Sequence, residues 1–178
     1  MLLPTTPGAQ LVTNALLSSP HLFENAATGL LLSDPTINFE RMVRHMKAAQ
    51  TNWITNLPTI GLHDAEFKSY LNEVGVGLPK EFEILAKFKA SGMKIIASLT
   101  DISEASALAK LNPNAVLVLP KASDYLDGWP SLEMRQRSEK AVRSALMQLG
   151  WNGLCLGYRA PSEVKGTPCV ERPKKLES

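Results

Sequence analysis

The chain has 178 residues, 44% of them apolar and 20% charged, with a formal charge of +2. This is ordinary globular usage, and the length falls short of the roughly 250 residues of a closed eight-fold β/α barrel. The near-neutral charge gives no electrostatic basis for binding nucleic acid, and no apolar run approaches the roughly 18 residues of a membrane span.

The first 23 residues contain no Asp, Glu, Lys or Arg. They have neither the positive start of a secretory signal nor the arginines of a mitochondrial one. The two cysteines, Cys155 and Cys169, have no metal-binding spacing and make no disulfide framework. A reducing, cytoplasmic location is therefore expected.

Residues 1–27 read as a lead-in with one short helix, Ala9–Leu17. A regular alternation begins at Gly29. The run Gly29–Ser33 is continuously apolar, as in a strand buried on both faces, and stops at Asp34-Pro35. Ile37, Met42, Val43 and Met46 then recur at helical spacing within Ile37–Ala49. A second strand is expected at Asn52–Asn56. Asp64 is placed to cap a short helix with Phe67, Tyr70, Leu71 and Val74 on its apolar stripe. A further helix opens at Pro79, where a missing N–H costs nothing, and ends at Gly92.

Lys94–Leu99 reads as the third strand, Glu104–Leu111 as a helix and Ala115–Leu119 as the fourth strand. Ser131 caps a long helix, Leu132–Leu149, and Gly153–Gly157 is the fifth strand. Strands alternating with helices make an α/β class with a parallel sheet. The divisions expected are a lead-in over 1–27, a β/α domain over 28–158 and an extended or disordered tail over 159–178. Periodicity alone does not separate an open doubly wound sheet from part of a barrel.

In both architectures the chemistry sits at the C-terminal ends of the strands. That selects Ser33 and Asp34, Asn56 and Thr59, Ser98, Thr100 and Asp101, Lys121, Ser123 and Asp124, and Tyr158 and Arg159. Each has a plain structural alternative. Asp34 before Pro35 suits a helix N-cap, and so do Thr100 and Ser103. Lys121 is either a reactive strand-end lysine or a solvated loop residue beside Asp124. The Asn56 amide, at the end of a buried strand, needs a partner from a ligand or from the loop backbone. Asp34, Asn56, Thr59 and Ser98 are expected to point into one cleft.

The segment Asn56-Leu-Pro-Thr-Ile-Gly-Leu-His-Asp64, followed by Phe67, Leu71, Glu73, Gly75 and Gly77, is more specific. It resembles the phosphoenolpyruvate hydrolase-like family of TIM barrels, also called the TIM-barrel signal-transduction family. The similarity runs from Gly29 to Leu119, with Ser33-Asp34-Pro35 matching a Thr-Asp-Pro step. The family's first two strands have no counterpart in Met1–Ala27, and Pro120-Lys121-Ala122 stands where the family has His-Met-Gly. The resemblance implies an incomplete TIM-barrel-like sheet of about five strands with outer helices.

The resemblance further implies a truncated or degenerate member, with a vestigial or partner-completed site for a small anionic ligand, a phospho- or keto-acid. Asp34 and Asp64 would be its catalytic acids, and Asp34 would hold a Mg²⁺ water. Asn56, Thr59, Ser98 and Lys121 would bind the ligand. An active Mg²⁺-dependent hydrolase or lyase is one alternative. A non-catalytic interaction module is the other. Missing barrel strands leave sheet edges, so a homo-oligomer or a partner chain is expected unless Pro120–Pro130 and the tail after Arg159 cover them.

Overall fold

The computed structural model of the chain describes residues 8–24, 26–126 and 128–159. The expected tail beyond Arg159, Cys169 and the first seven residues lie outside the described residues. Helix α1 spans Gly8–Ser18, and β1 spans Ala27–Gly29. Then follow α2 (Phe39–Ala48), β2 (Trp53–Thr55), α3 (Ala65–Glu73), α4 (Leu78–Ala90), β3 (Lys94–Leu99), α5 (Ala105–Leu111), β4 (Ala115–Val118), α6 (Leu132–Gln148) and β5 (Leu154–Gly157). The five strands form one parallel sheet in sequential order. A doubly wound sheet reverses its strand order at a switch point. This sheet does not, and it has the barrel-type winding.

The two faces of the sheet differ accordingly. Ile54, Ile95, Ala97, Leu99, Val116 and Val118 point to a core shared with Met42, Val43 and Met46 of α2, Leu85 and Phe88 of α4, Leu108 of α5 and Leu146 of α6. The opposite face carries a smaller cluster of Ile96, Ala115, Leu117 and Leu119, joined by Trp53, Leu57, Leu62, Leu156 and Tyr158. Among the described residues, none from helices α1 to α6 contributes to it. Helices therefore lie on one side, as right-handed crossovers between sequential strands require.

The helix starts are set by side chains seeking the free N–H groups of the first turn. Asn38 accepts from Arg41 N–H at 2.9 Å, Asp64 from Phe67 N–H at 2.8 Å and Ser131 from Met134 N–H at 3.2 Å. Asp101 caps a single 3₁₀ turn before α5, accepting from Ser103 N–H at 2.9 Å.

The first strand departs from the sequence reading. It is Ala27–Gly29, not Gly29–Ser33. Leu30 N–H still reaches Thr55 O at 3.1 Å, and the chain then turns, with Asp34 N–H on Leu31 O at 3.1 Å. Leu30 and Leu32 enter the helix-side core while Leu31 is exposed. A turn that buries alternate leucines produces the same apolar run as a strand.

The loop after β4 and the end of β5 are fastened together. The Trp129 ring meets Tyr125 edge-to-face at 5.6 Å and Tyr158 at a tilt at 5.5 Å. Arg135 of α6, almost fully buried, donates to Pro130 O at 3.0 Å and Tyr158 O at 2.8 Å. Arg159 pairs with Glu139 at 2.6 Å. No helix of the described residues is long and apolar enough to cross a membrane.

Candidate functional site

Beyond the C-terminal ends of β2 and β3, two carboxylates rise from the helix side into the strand-end loops. Glu81 lies in the first turn of α4 and is fully buried. Its Oε2 accepts from Thr59 Oγ1 at 2.7 Å and from Asn56 Nδ2 at 3.0 Å, and its Oε1 accepts from Ile60 N–H at 2.8 Å. Asn56 also donates to Ser98 O at 3.1 Å and accepts from Ser98 N–H at 2.7 Å. Thr59 Oγ1 in turn accepts from Gly61 N–H at 3.1 Å and Asn56 Nδ2 at 3.2 Å. Ser98 Oγ lies 3.1 Å from Thr55 Oγ1.

Glu104, in the turn before α5, holds the other side of the same loop. It accepts from Thr100 N–H at 3.1 Å, and Thr100 Oγ1 donates to Gly61 O at 2.9 Å. A Cβ on Gly61 would meet Thr100 Oγ1 at 2.9 Å, so only glycine lets the loop lie this close to β3. Gly29 serves the same fit on the β1 side, where a Cβ would stand 2.5 Å from Leu57 O.

Both carboxyls are affected by their burial. Desolvation pushes Glu81 from 4.5 up to about 7, against the opposing bonds from Asn56, Thr59 and Ile60 N–H. Desolvation also raises Glu104, opposed by Thr100 N–H and the charge of Lys68.

On the solvent side of this loop is an open cleft of about 670 Å³. It is lined by Gly61, His63, Asp64 and Lys68, from the loop after β2 and from α3, and by Asp101 and Lys121, from the ends of β3 and β4. Lys121 forms an ion pair with Asp101. The hydrogen bond from Lys121 is the main cause that holds the Asp101 carboxyl down at about 2, and the same bond raises Lys121. The volume is that of a small-molecule site.

Four of the sequence-selected residues, Asp64, Asp101, Lys121 and Ser123, line the cleft. Asp64 also caps α3. Asn56, Thr59 and Ser98 come together as well, in the sealed network beneath the loop, where all three are buried. Asp34 belongs to neither group. Its Oδ1 accepts from Thr36 N–H at 2.8 Å and from Thr36 Oγ1 at 2.7 Å, in the turn after β1. Among the described residues, no three His, Cys, Asp or Glu side chains are placed to hold a metal ion. These residues do not by themselves make a cage for Mg²⁺.

Glu81 and Glu104 are the residues that sequence reasoning passed over. Their signal is a carboxylate on an apolar stripe. Glu81, Leu85 and Phe88 are buried on one face of α4, and Glu104 shares its face with Leu108.

The model of the family described as phosphoenolpyruvate hydrolase-like matches residues 20–121. The chain belongs to the phosphoenolpyruvate hydrolase-like family. The match takes in β1 to β4, the Asn56–Asp64 motif, both buried carboxylates and Lys121 at its end. No curated protein matches the chain. In this member of the phosphoenolpyruvate hydrolase-like family the motif's amide and hydroxyl, Asn56 and Thr59, are joined to Glu81.

Proposed function

We propose that this domain binds a small anionic ligand, a phospho- or keto-acid, in the cleft at the ends of β2 to β4. The observation that carries the reading is that Lys68 and Lys121 both line a 670 Å³ cleft at the strand ends, where β/α barrels place their chemistry. Lys121 is paired with Asp101, so a ligand carboxylate or phosphate takes over the ammonium from Asp101 or shares it. His63 and Asp64 face the same space.

Binding is better supported than turnover. Asn56 and Thr59 have their hydrogen-bonding capacity engaged by Glu81 and the backbone, and Asp34 is held by Thr36. The catalytic roles of Asp34 and Asp64 therefore rank second. A partner chain or a second copy at the β1 or β5 edge is the assembly that would complete the site. A cytoplasmic, reducing setting suits the free Cys155, whose thiol burial pushes up to about 11.

The test is a thermal-shift panel of phosphoenolpyruvate, phosphoglycolate, pyruvate and oxaloacetate, each with and without Mg²⁺. A ligand at 100 times its dissociation constant adds about 2.7 kcal/mol. Stabilisation by one of these acids that is lost in Lys121→Ala supports the reading. Equal stabilisation in both proteins, or none in either, overturns it. Release of phosphate or pyruvate with Mg²⁺ present would favour the hydrolase or lyase.

A further inference from the structure

The cleft at the ends of β2 to β4 has room for more than a three-carbon acid. Its volume of about 670 Å³ lies in the range of about 300–1,000 Å³ that drug-sized ligands occupy. Pyruvate, with about six non-hydrogen atoms at roughly 30 Å³ each, fills about a quarter of it.

The lining has two chemistries. Leu62, Ala65, Ala122 and Leu126 offer only carbon from their side chains. Leu126 closes the 3₁₀ turn Ala122–Tyr125 and is 83% exposed. A lone exposed leucine is ordinary surface. Leu126 shares its cleft with three other apolar side chains, and a ligand that fills the cleft takes them out of water together.

The charged lining cancels. Lys68 and Lys121 stand against Asp64 and Asp101, and Lys121 is paired with Asp101. The cleft therefore has no surplus of positive charge for a multiply charged ligand. The phosphate of a phospho-acid alone brings about −1.5 to −2, in addition to its carboxylate. A monocarboxylate needs one ammonium.

We propose that the cleft takes a 2-oxo monocarboxylate with an apolar side chain of butyl to benzyl size, its carboxylate on Lys121 and its side chain against Leu126. This specificity rests on the ligand reading above, and within it selects keto-acids over phospho-acids. Leu126 is then a specificity-determining residue. Each methylene that is fully withdrawn from water tightens binding about fourfold. In an open cleft the gain is about two- to threefold per methylene, so lengthening methyl to butyl gains about 10- to 30-fold.

The experiment is an NMR titration of the full chain with pyruvate, 2-oxobutanoate, 2-oxopentanoate, 2-oxohexanoate and phosphoenolpyruvate, read at the Gly61, Lys68 and Ser123 amides. Affinity is expected to climb through the 2-oxo series, with 2-oxohexanoate bound more tightly than phosphoenolpyruvate, with or without Mg²⁺. Leu126→Ser should cut the ratio of 2-oxohexanoate to pyruvate affinity about threefold or more. Its side chain is exposed, so the variant keeps the fold, which circular dichroism checks. Lys121→Ala should weaken every member of the series alike. Equal affinity along the series, with the cleft amides responding, overturns the apolar specificity and leaves the ligand reading standing. Tighter binding of phosphoenolpyruvate than of every 2-oxo acid does the same. If no acid moves these amides, the ligand reading itself falls and the specificity with it. An unchanged ratio in Leu126→Ser, together with a lower sedimentation coefficient than the wild type, assigns Leu126 to a contact between copies of the chain and overturns its role at the ligand.

Discussion

Replacing Asn56 with Ala tests whether the family motif is first a structural joint. The Asn56 side chain is fully buried and spans three elements. Its removal leaves Ser98 N–H without its 2.7 Å acceptor and takes one of two donors from Glu81 Oε2. It also takes one donor from Ser98 O. Each buried polar group left unsatisfied costs about 1–3 kcal/mol. Counting Ser98 N–H in full and the two weakened acceptors together as one more group gives about 2–6 kcal/mol. For a chain of this size 1 kcal/mol moves the melting temperature by about 2–4 °C. A fall of about 10 °C in the ligand-free protein is the central expectation, measured by far-ultraviolet circular dichroism and checked by urea unfolding. A melting temperature within about 2 °C of the wild type, with ligand binding abolished, would refute this. It would mean that the amide serves the ligand and not the loop.

The ionisation of Glu81 makes stability depend on pH. Its proton affinity is raised on folding, so its stabilising contribution is complete below pH 4.5 and is lost as pH rises through about 7. The interval corresponds to about 3 kcal/mol at most, and urea unfolding at pH 4.5, 6 and 8 should show the decline in the wild type and not in Glu81→Gln. Gly29→Ala should destabilise by about 1–3 kcal/mol, because its Cβ would stand 2.5 Å from a backbone oxygen, Leu57 O; an unchanged melting temperature would show that the β1 edge yields. Lys121→Ala should weaken the binding of a stabilising acid about 10- to 100-fold, the worth of a charge-assisted hydrogen bond, with isothermal titration calorimetry as the readout. Sedimentation at micromolar concentration should give a species heavier than the 19.4 kDa monomer; a clean monomer would show that the chain covers its own sheet edges.

The alternation of strands and helices was legible because burial imposes a period. The continuous apolar runs Lys94–Leu99 and Ala115–Leu119 mark strands covered on both faces, and both lie in the sheet. The run after Gly29 misled because burial is not specific to strands. Leu30 and Leu32 satisfy the core from a turn. Caps were legible where the residue type speaks locally, as at Asp64 and Ser131.

The site was legible only in part, for a different reason. Asn56 announces that it needs a partner, but its partners stand 25 and 42 residues away, at Glu81 and Ser98. Pairings of that range leave no local signature. Glu81 was passed over because a carboxylate in a first helical turn has an ordinary explanation, the favourable end of the helix dipole. The contrary sign is its register with Leu85 and Phe88. Local preference and global burial conflict at Glu81, and again at Glu104. Both conflicts fall on the two sides of one loop, the loop that carries the family motif and walls the cleft. Breaches of local rules concentrate where function is placed, and in this chain they concentrate at the Thr59–Gly61 turn.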